Sequence, residues 1–381
     1  MDERFIVEQL KLLISIQSVN RAFGGPGEQE LSAYLQGFFR SCRLDPVVMP
    51  VAGHADNVFV RLDPPGSASG SAVLVESHMD TVAATEWERG EPFTPEERDG
   101  RLYGRGACDT KGSLAVVLAL AKHFAEHPGE IATPVVLGAT VDEEFGQGGS
   151  AALTQLDIPL RGIITGEPTG CAVVHLHKGL YRCRIVTRGA AAHSASPQYG
   201  TNAIMHMGRI LRRIERYVAE LRRRPAHPQL GQGTACVTTI TGGIAHNVVP
   251  DTCAVVLDRR LLPDETPATV RSEITALLGA GRAAEKAEVT ELIARTGLNA
   301  AAEAPLTRAL AAAARTNGAV EPILQSAAYM TNASTYQAAG IPALVFGPGN
   351  IAQAHTSAEY VETAQLGRAF AILKTLLTTP P

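Results

Sequence analysis

Four short runs rich in β-branched and small apolar residues, at positions 72–75, 135–141, 162–165 and 341–346, punctuate a chain whose other periodic segments have helical spacing. The helical patterns fall at 112–126, 301–316 and 363–377. Alternation of this kind predicts an α/β sheet with helices on both faces. Such a sheet has one place where side chains from distant parts of a sequence meet, the carboxyl ends of its strands. Polar turns at 63–71, "DPPGSASGS", and 125–134, "AEHPGEIATP", flank two of the strand candidates.

The middle third has a different rhythm. Strand candidates at 181–186, 234–240, 252–257 and 287–293 interleave with helices from 202 to about 223 and from 266 to about 278. The order is β-α-β-β-α-β, that of a small ferredoxin-like two-layer domain. At 381 residues the chain is too long for one ordinary core. We therefore expect a catalytic-type domain over 1–177 and 295–381, interrupted by an inserted α+β domain over 178–294.

Charge and composition exclude several classes. The formal net charge is -4, so a nucleic-acid or anionic-membrane partner is not expected. The basic cluster from Arg209 to Arg224 lies on a helix whose Ile210, Leu211, Ile214, Val218 and Leu221 form an apolar face, and it reads as a solvated side. In the first twenty residues, Asp2, Glu3, Glu8 and Lys11 break any signal-like apolar core and give an amphipathic helix. No apolar run reaches the roughly 18 residues of a membrane span. Cys42, Cys108, Cys171, Cys183, Cys236 and Cys253 are scattered without a C-x-x-C pair, which fits free thiols in a reducing, cytoplasmic setting.

Each strand end of the outer pattern carries chemistry. The run at 72–75 leads into "ESHMDT" with His78 and Asp80, and that at 135–141 into Asp142, Glu143 and Glu144. The run at 162–165 leads into "GEPT" with Glu167, and that at 341–346 into "GPGNIAQAH" with His355. Asp109 in "GRGACDTKG" opens the next helix. Adjacent carboxylates raise one another's pKa unless a positive charge sits among them. Two imidazoles and several carboxylates at one sheet edge suit a hard-to-borderline divalent cation, and their number exceeds what a single four-coordinate zinc uses. Two ions sharing a carboxylate would use them all. Singly, each of these residues is as well explained as an ordinary loop polar group. "GRGACDTKG" matches neither a dinucleotide fingerprint nor a P-loop, because its glycines are too few and Lys111-Gly112 reverses the required order.

Together, "SHMDTV", "GRGACDTKG", "TVDEEFGQGGS", "GEPT", "HKG", "AAAHSASPQYGTNAI" and "GPGNIAQAHTSAEYV" resemble the di-metal amidohydrolase family of acetylornithine deacetylase, succinyl-diaminopimelate desuccinylase and the bacterial glutamate carboxypeptidases. The likeness runs from about residue 5 to 375, and "GEPT", "HKG" and the "GPG…AH" ending look most like the acetylornithine deacetylase branch. It implies a zinc-peptidase-like catalytic domain, with a mixed sheet flanked by helices, and a dimerisation or lid insert. By the same resemblance His78, Asp109, Glu144, Glu167 and His355 are ligands of two Zn2+ or Co2+ ions, Asp109 bridging. Asp80 would orient His78, and Glu143 would be the general base. His193 would reach a partner subunit's active site in a homodimer, while Asn247 and Arg259 would hold the carboxylate end of a small N-acyl-L-amino acid. Asp142 would turn outward with no part in the site.

Two departures stand out. Ser77 replaces a glycine usual before the first ligand, and Asn332 in "YMTNAS" stands where the family has an acid. If that acid meets a basic substrate side chain, Asn332 favours a neutral acyl amino acid or an acyl-citrulline-like one over acetylornithine. Cys108 reads as a small packing residue more readily than as a reactive thiol. The main expectation is a metal-dependent deacylase in amino-acid biosynthesis. A carboxypeptidase or dipeptidase using the same chemistry is the alternative, and a non-catalytic binding protein a further one. A serine hydrolase is not supported, since no G-x-S-x-G occurs.

Overall fold

The computed structural model describes residues 3–66, 70–88, 90–279 and 287–380. Residues 67–69 of the turn expected over 63–71 lie outside the described residues. In chain order the elements are α1 (Glu3–Ser15), α2 (Gln29–Ser41), β1 (Val47–Met49), β2 (Asn57–Leu62), β3 (Ala72–His78), β4 (Glu96–Arg98), β5 (Arg101–Tyr103) and α3 (Lys111–Glu126). They continue with β6 (Val135–Thr140), α4 (Gly148–Leu153), β7 (Leu160–Gly166), β8 (Val173–His177), β9 (Gly179–Arg188), α5 (Ala203–Leu221), β10 (Thr234–Gly242), β11 (Thr252–Leu261) and α6 (Pro267–Gly279). The last are β12 (Ala287–Arg295), β13 (Leu298–Asn299), α7 (Pro305–Thr316), β14 (Leu324–Ala327), α8 (Ala333–Ala338), β15 (Ala343–Val345), β16 (Tyr360–Glu362) and α9 (Thr363–Thr378).

The chain divides into two compact units, Met1–His175 with Ala300–Gln325 and Thr331–Pro381, and Leu176–Asn299 with Ser326–Met330. The segment Ser326–Met330, which the sequence reading left in the larger unit, falls in the smaller one. Its attachments there are the bonds from Lys178 N to Ala327 O and from Ser326 Oγ to Gln229 O.

The large sheet runs β1-β2-β6-β3-β7-β15-β8-β13, with β14 also on β8. Its centre, β6-β3-β7-β15, is parallel, and β2 and β8 close it on either side as antiparallel neighbours. Parallel strands need cover on both faces, so every residue of β3 and β6 is buried. Helix α3, apolar almost all round, fills that role: Leu114 through Ala121 are all buried. Helix α7 starts at Pro305 and not at 301, because a proline at the first turn fixes the start where its missing N–H costs nothing.

The small unit's sheet has the order β10-β11-β9-β12, every pairing antiparallel. In sequence order of its own strands this is 2-3-1-4, the ferredoxin-like arrangement. Ile210 and Ile214 of α5 and Val270 and Ile274 of α6 are buried in one cluster with Cys183, Ile185, Val255 and Leu257 of the sheet.

Candidate active site

The four parallel strands that lie side by side each deliver a candidate ligand just beyond their carboxyl ends. His78 ends β3, Glu143 and Glu144 follow β6, and Glu167 follows β7. His355 follows β15 through a loop in which it takes a left-handed conformation, φ 63°. Asp109 lies just before α3, two residues ahead of Lys111. Lys111 is wholly buried and its Nζ donates to Leu13 O (2.9 Å) and Ile16 O (2.7 Å), tying the start of α3 to the end of α1.

Asp109 presents one oxygen to each imidazole. Its Oδ1 is 3.2 Å from His78 Nε2 and its Oδ2 is 3.3 Å from His355 Nε2. Glu167 Oε1 lies 3.9 Å from His78 Nε2, and the Glu144 carboxylate 3.2 Å from His355 Nε2. Donor atoms of His78, Asp109 and Glu144 all lie within 4.8 Å of one another, as do those of His78, Glu143 and Glu167. The structure thus gathers all five expected ligands, and brings Glu143 as close as a ligand would be.

Electrostatics show why such a cluster needs cations. Burial, with the Asp109 charge next, pushes the Glu144 carboxyl up to about 7. Burial chiefly, against the pull of His78 and with the Glu144 and Asp80 charges adding, takes Glu143 to about 8. Glu167 is raised by burial and Asp109. Its Oε1 is buried without a hydrogen-bond partner, a strong sign of an atom built for something else. Hydrogen bonds to Asp109 and Glu144 lift His355 to about 10. Two imidazoles and four carboxylates so arranged fit divalent cations, whose charge would reverse these shifts.

Asp80 organises the neighbourhood. It is fully buried, its Oδ1 accepts Glu143 N (3.0 Å), and its Oδ2 accepts Glu144 N (3.0 Å) and Asn20 Nδ2 (2.9 Å). His78 Nδ1 sits 2.9 Å from Asp80 O and 3.5 Å from Asp80 Oδ1. The Asp80 carboxylate therefore sets the backbone of both glutamates, while the residue's backbone carbonyl accepts at His78 Nδ1 and fixes that ring's orientation.

Asp142 contradicts expectation. Far from turning outward, it is buried, and its carboxylate accepts from Asn20 Nδ2 (3.1 Å), Gly146 N (3.3 Å) and Gly148 N (3.0 Å). It shares Asn20 with Asp80, which locks the turn after β6. Asn20 itself had no signal in the sequence, being one polar residue in a loop.

Asn332 is fully buried as well, its Nδ2 donating to Thr140 Oγ1 (3.3 Å), which in turn donates to Glu76 Oε2 (2.8 Å). The amide NH2 is committed to that buried network, while Asn332 Oδ1 is buried without a hydrogen-bond partner among the described residues. Arg259 is likewise fully buried inside the small unit. Its guanidinium donates to Tyr217 Oη (3.0 Å), to Glu265 and to Arg260 O, which makes it an internal tie and not an open anion seat. His193 and Asn247 are exposed on the small unit, where Ser194 N bonds Asn247 O (2.9 Å) and His193 pairs with Val248. His193 Nδ1 accepts from Ala195 N (3.1 Å), which leaves its N–H on Nε2. Cys108 is buried against Asn350 O (3.3 Å) and burial pushes its thiol up, in keeping with a packing residue.

Comparison with known proteins decides the family. Residues 74–379 match the model of peptidase family M20/M25/M40. The chain belongs to that family. An acetylornithine deacetylase from Myxococcus xanthus is 34% identical, over 81% of this chain and 80% of that one. A probable carboxypeptidase of Emericella nidulans is 28% identical over 96% and 87% respectively. Among solved structures, an M20 family metallo-carboxypeptidase from Sulfolobus solfataricus superposes with a TM-score of 0.81 at 19% identity, covering 99% of both chains. The M20 fold, with its helix-flanked mixed sheet, and a metal-dependent amidohydrolase activity follow for this chain. Among the described residues no helix is long and apolar enough to cross a membrane.

Proposed function

We propose that this M20 protein is a deacylase that hydrolyses the amide bond of N-acyl-L-amino acids, with two divalent cations, Zn2+ or Co2+, held by His78, Asp109, Glu144, Glu167 and His355. The observation that carries the reading is Asp109, whose two oxygens each face a different imidazole, the posture of a shared ligand. The identity with acetylornithine deacetylase over four-fifths of both chains supports the deacylase side. A cytoplasmic place in amino-acid metabolism belongs to the same reading, supported by six cysteines without a disulfide.

Bound cations would supply Lewis acidity, lowering the pKa of water towards neutrality and polarising the acyl carbonyl. The protein's own groups do the rest. Glu143, its backbone pinned by Asp80, accepts the proton of the attacking water and later returns it to the departing amine. Gln147 Nε2, 3.4 Å from Glu143 Oε1, limits where that carboxylate can swing. The backbone carbonyl of Asp80, 2.9 Å from His78 Nδ1, holds that ring in a fixed orientation, with the Asp80 carboxylate 3.5 Å away. His193, with its N–H on Nε2, is the donor we assign to the oxyanion developing in a partner subunit's site, and Asn247 the group we assign to the substrate's carboxylate end.

A panel of N-acetyl and N-succinyl amino acids against dipeptides, assayed with metal-replete protein, tests the reading. Cleavage of the acyl amino acids, with kcat/KM at least about ten times that for dipeptides, is expected, a difference of about 1.4 kcal/mol in transition-state binding. Turnover of dipeptides alone would replace it with the carboxypeptidase alternative, which the Emericella nidulans relative favours.

We further propose that the protein works as a homodimer through its small unit. There β10 is an edge strand with most of its residues exposed, and Ile240 (56% exposed) stands near the sequence of Ile244 (90% exposed). An uncovered apolar edge strand is a pairing surface. Light scattering should give twice the mass of one chain, and Ile240→Lys combined with Ile244→Asp should give the single-chain mass. A parent protein already monomeric at micromolar concentration would refute the dimer.

A further inference from the structure

The turn that carries Asp109 is wrapped around the carboxylate of another residue, Glu359. That side chain is completely buried. Its Oε1 accepts Cys108 N (2.8 Å) and the backbone N of Asp109 itself (2.9 Å). Its Oε2 accepts Gly106 N (3.0 Å) and Arg105 Nη1 (2.6 Å). The backbone joins in: Gly104 N donates to Glu359 O (3.1 Å), and Arg105 Nη2 to Thr356 O (3.1 Å).

Glu359 stands four residues after His355 and begins the segment that enters β16, which pairs with β5 immediately before the turn. One side chain therefore staples together two of the loops that supply ligands. It does so at the peptide N–H of Asp109, the residue that faces both histidines.

A buried carboxylate is costly unless its lone pairs are filled, and removing part of its shell is more costly still. Here four N–H donors converge on it, three from one turn, as in the backbone nests that bind anions. A loop of six residues, 104–109, would otherwise have several backbone donors to bury unpaired. The geometry also limits substitutes. A glutamine in the same place offers one oxygen and turns an NH2 against two of the donors, so the turn must open. An aspartate is one methylene short of the turn.

We infer that Glu359 is a positioning residue for the metal centre: it sets the spacing between Asp109 and His355, and so the geometry and affinity of the ions they hold. The inference rests on the di-metal reading above. It assigns the staple a role that neither the ligand set nor the general base contains.

The test compares the parent protein with Glu359→Gln, each stripped with a chelator and reloaded with Co2+. The parent should take up cobalt with a visible absorption band. Glu359→Gln should bind the ion at least about ten-fold more weakly, in the range found for groups that orient ligands, and its band should shift or lose intensity. Its kcat should fall while KM for an acyl amino acid moves little. Folding is followed separately through the single tryptophan, Trp87, whose ring lies 5.4 Å from the Arg105 guanidinium. If Glu359→Gln does not yield folded protein, Glu359→Asp, which keeps the charge, is read by the same spectrum. A folded variant with parental cobalt affinity and an unchanged band would overturn the inference, even if its melting temperature were lower, because that is the pattern of a merely structural glutamate. A parent protein that binds no cobalt would instead sink the di-metal reading itself.

Discussion

Changing Glu143 to alanine is expected to lower kcat by on the order of 10³-fold while leaving the protein with as many divalent ions per chain as the parent. Two features separate this residue from the ligands around it. Its backbone N–H is held by Asp80, so the turn after β6 keeps its course without the Glu143 side chain. The carboxylates nearest each histidine are others: Asp109 at 3.2 Å from His78, and Asp109 and Glu144 at 3.3 and 3.2 Å from His355. Removing Glu143 deletes a proton acceptor from a site that is otherwise complete. It also relieves like-charge crowding, since Glu144 and Asp80 both act to raise the Glu143 carboxyl. Because that crowding is part of what a cation relieves, metal affinity should hold or fall slightly, with occupancy kept by the remaining ligands. The measurement is metal content by elemental analysis beside single-substrate kinetics. Loss of ion and turnover in parallel would make Glu143 a ligand, a possibility that its place within 4.8 Å of His78 and Glu167 keeps open to test.

The residues that the sequence revealed and those it misplaced differ in a physical way. His78, Glu144, Glu167 and His355 were legible because each follows an apolar run, and the runs pair as adjacent parallel strands. Position in the fold was encoded by periodicity, and function by the residue types at its breaks. Arg259 and Asp142 were misjudged because a buried polar residue and a site residue look alike in one dimension. Only the partners tell them apart: Glu265 and Tyr217 for Arg259, and the Gly146 and Gly148 amides for Asp142. Glu359 left no trace for a related reason. Its four partners include three backbone N–H groups, and backbone amides have no sequence identity. Strand β8 went unseen because His175 and His177 break the apolar look of a segment that is in fact wholly buried.

Chelation should destabilise the protein in a pH-dependent way whose sign is set by the same cluster. In the metal-free state Glu143 and Glu144 have folded pKa values of about 8 and about 7, above the ordinary 4.5. A carboxyl so raised binds its proton more tightly folded than unfolded. Its contribution is complete below its ordinary value and disappears as pH climbs through the folded one. His355, raised to about 10, adds in the same direction above its ordinary 6.5. Asp109 is held below its ordinary 3.8: burial raises it, but the bonds from His355 and His78 prevail, so its share is already fully present above pH 4 or so and does not change across this window. Metal-free protein should therefore lose stability steadily from about pH 5 to about pH 8. Bound cations reverse the trend, because ligands must be deprotonated to coordinate and affinity rises with pH. Metal at roughly a thousand times its Kd contributes about 4 kcal/mol, several degrees of melting temperature in a chain of this size. The gap between zinc-saturated and chelated protein in thermal unfolding should widen at each step from pH 5 to 8. A gap that stayed constant or narrowed would mean that the crowded carboxylates are not what the cation relieves, and the charge logic of the centre would have to be rebuilt.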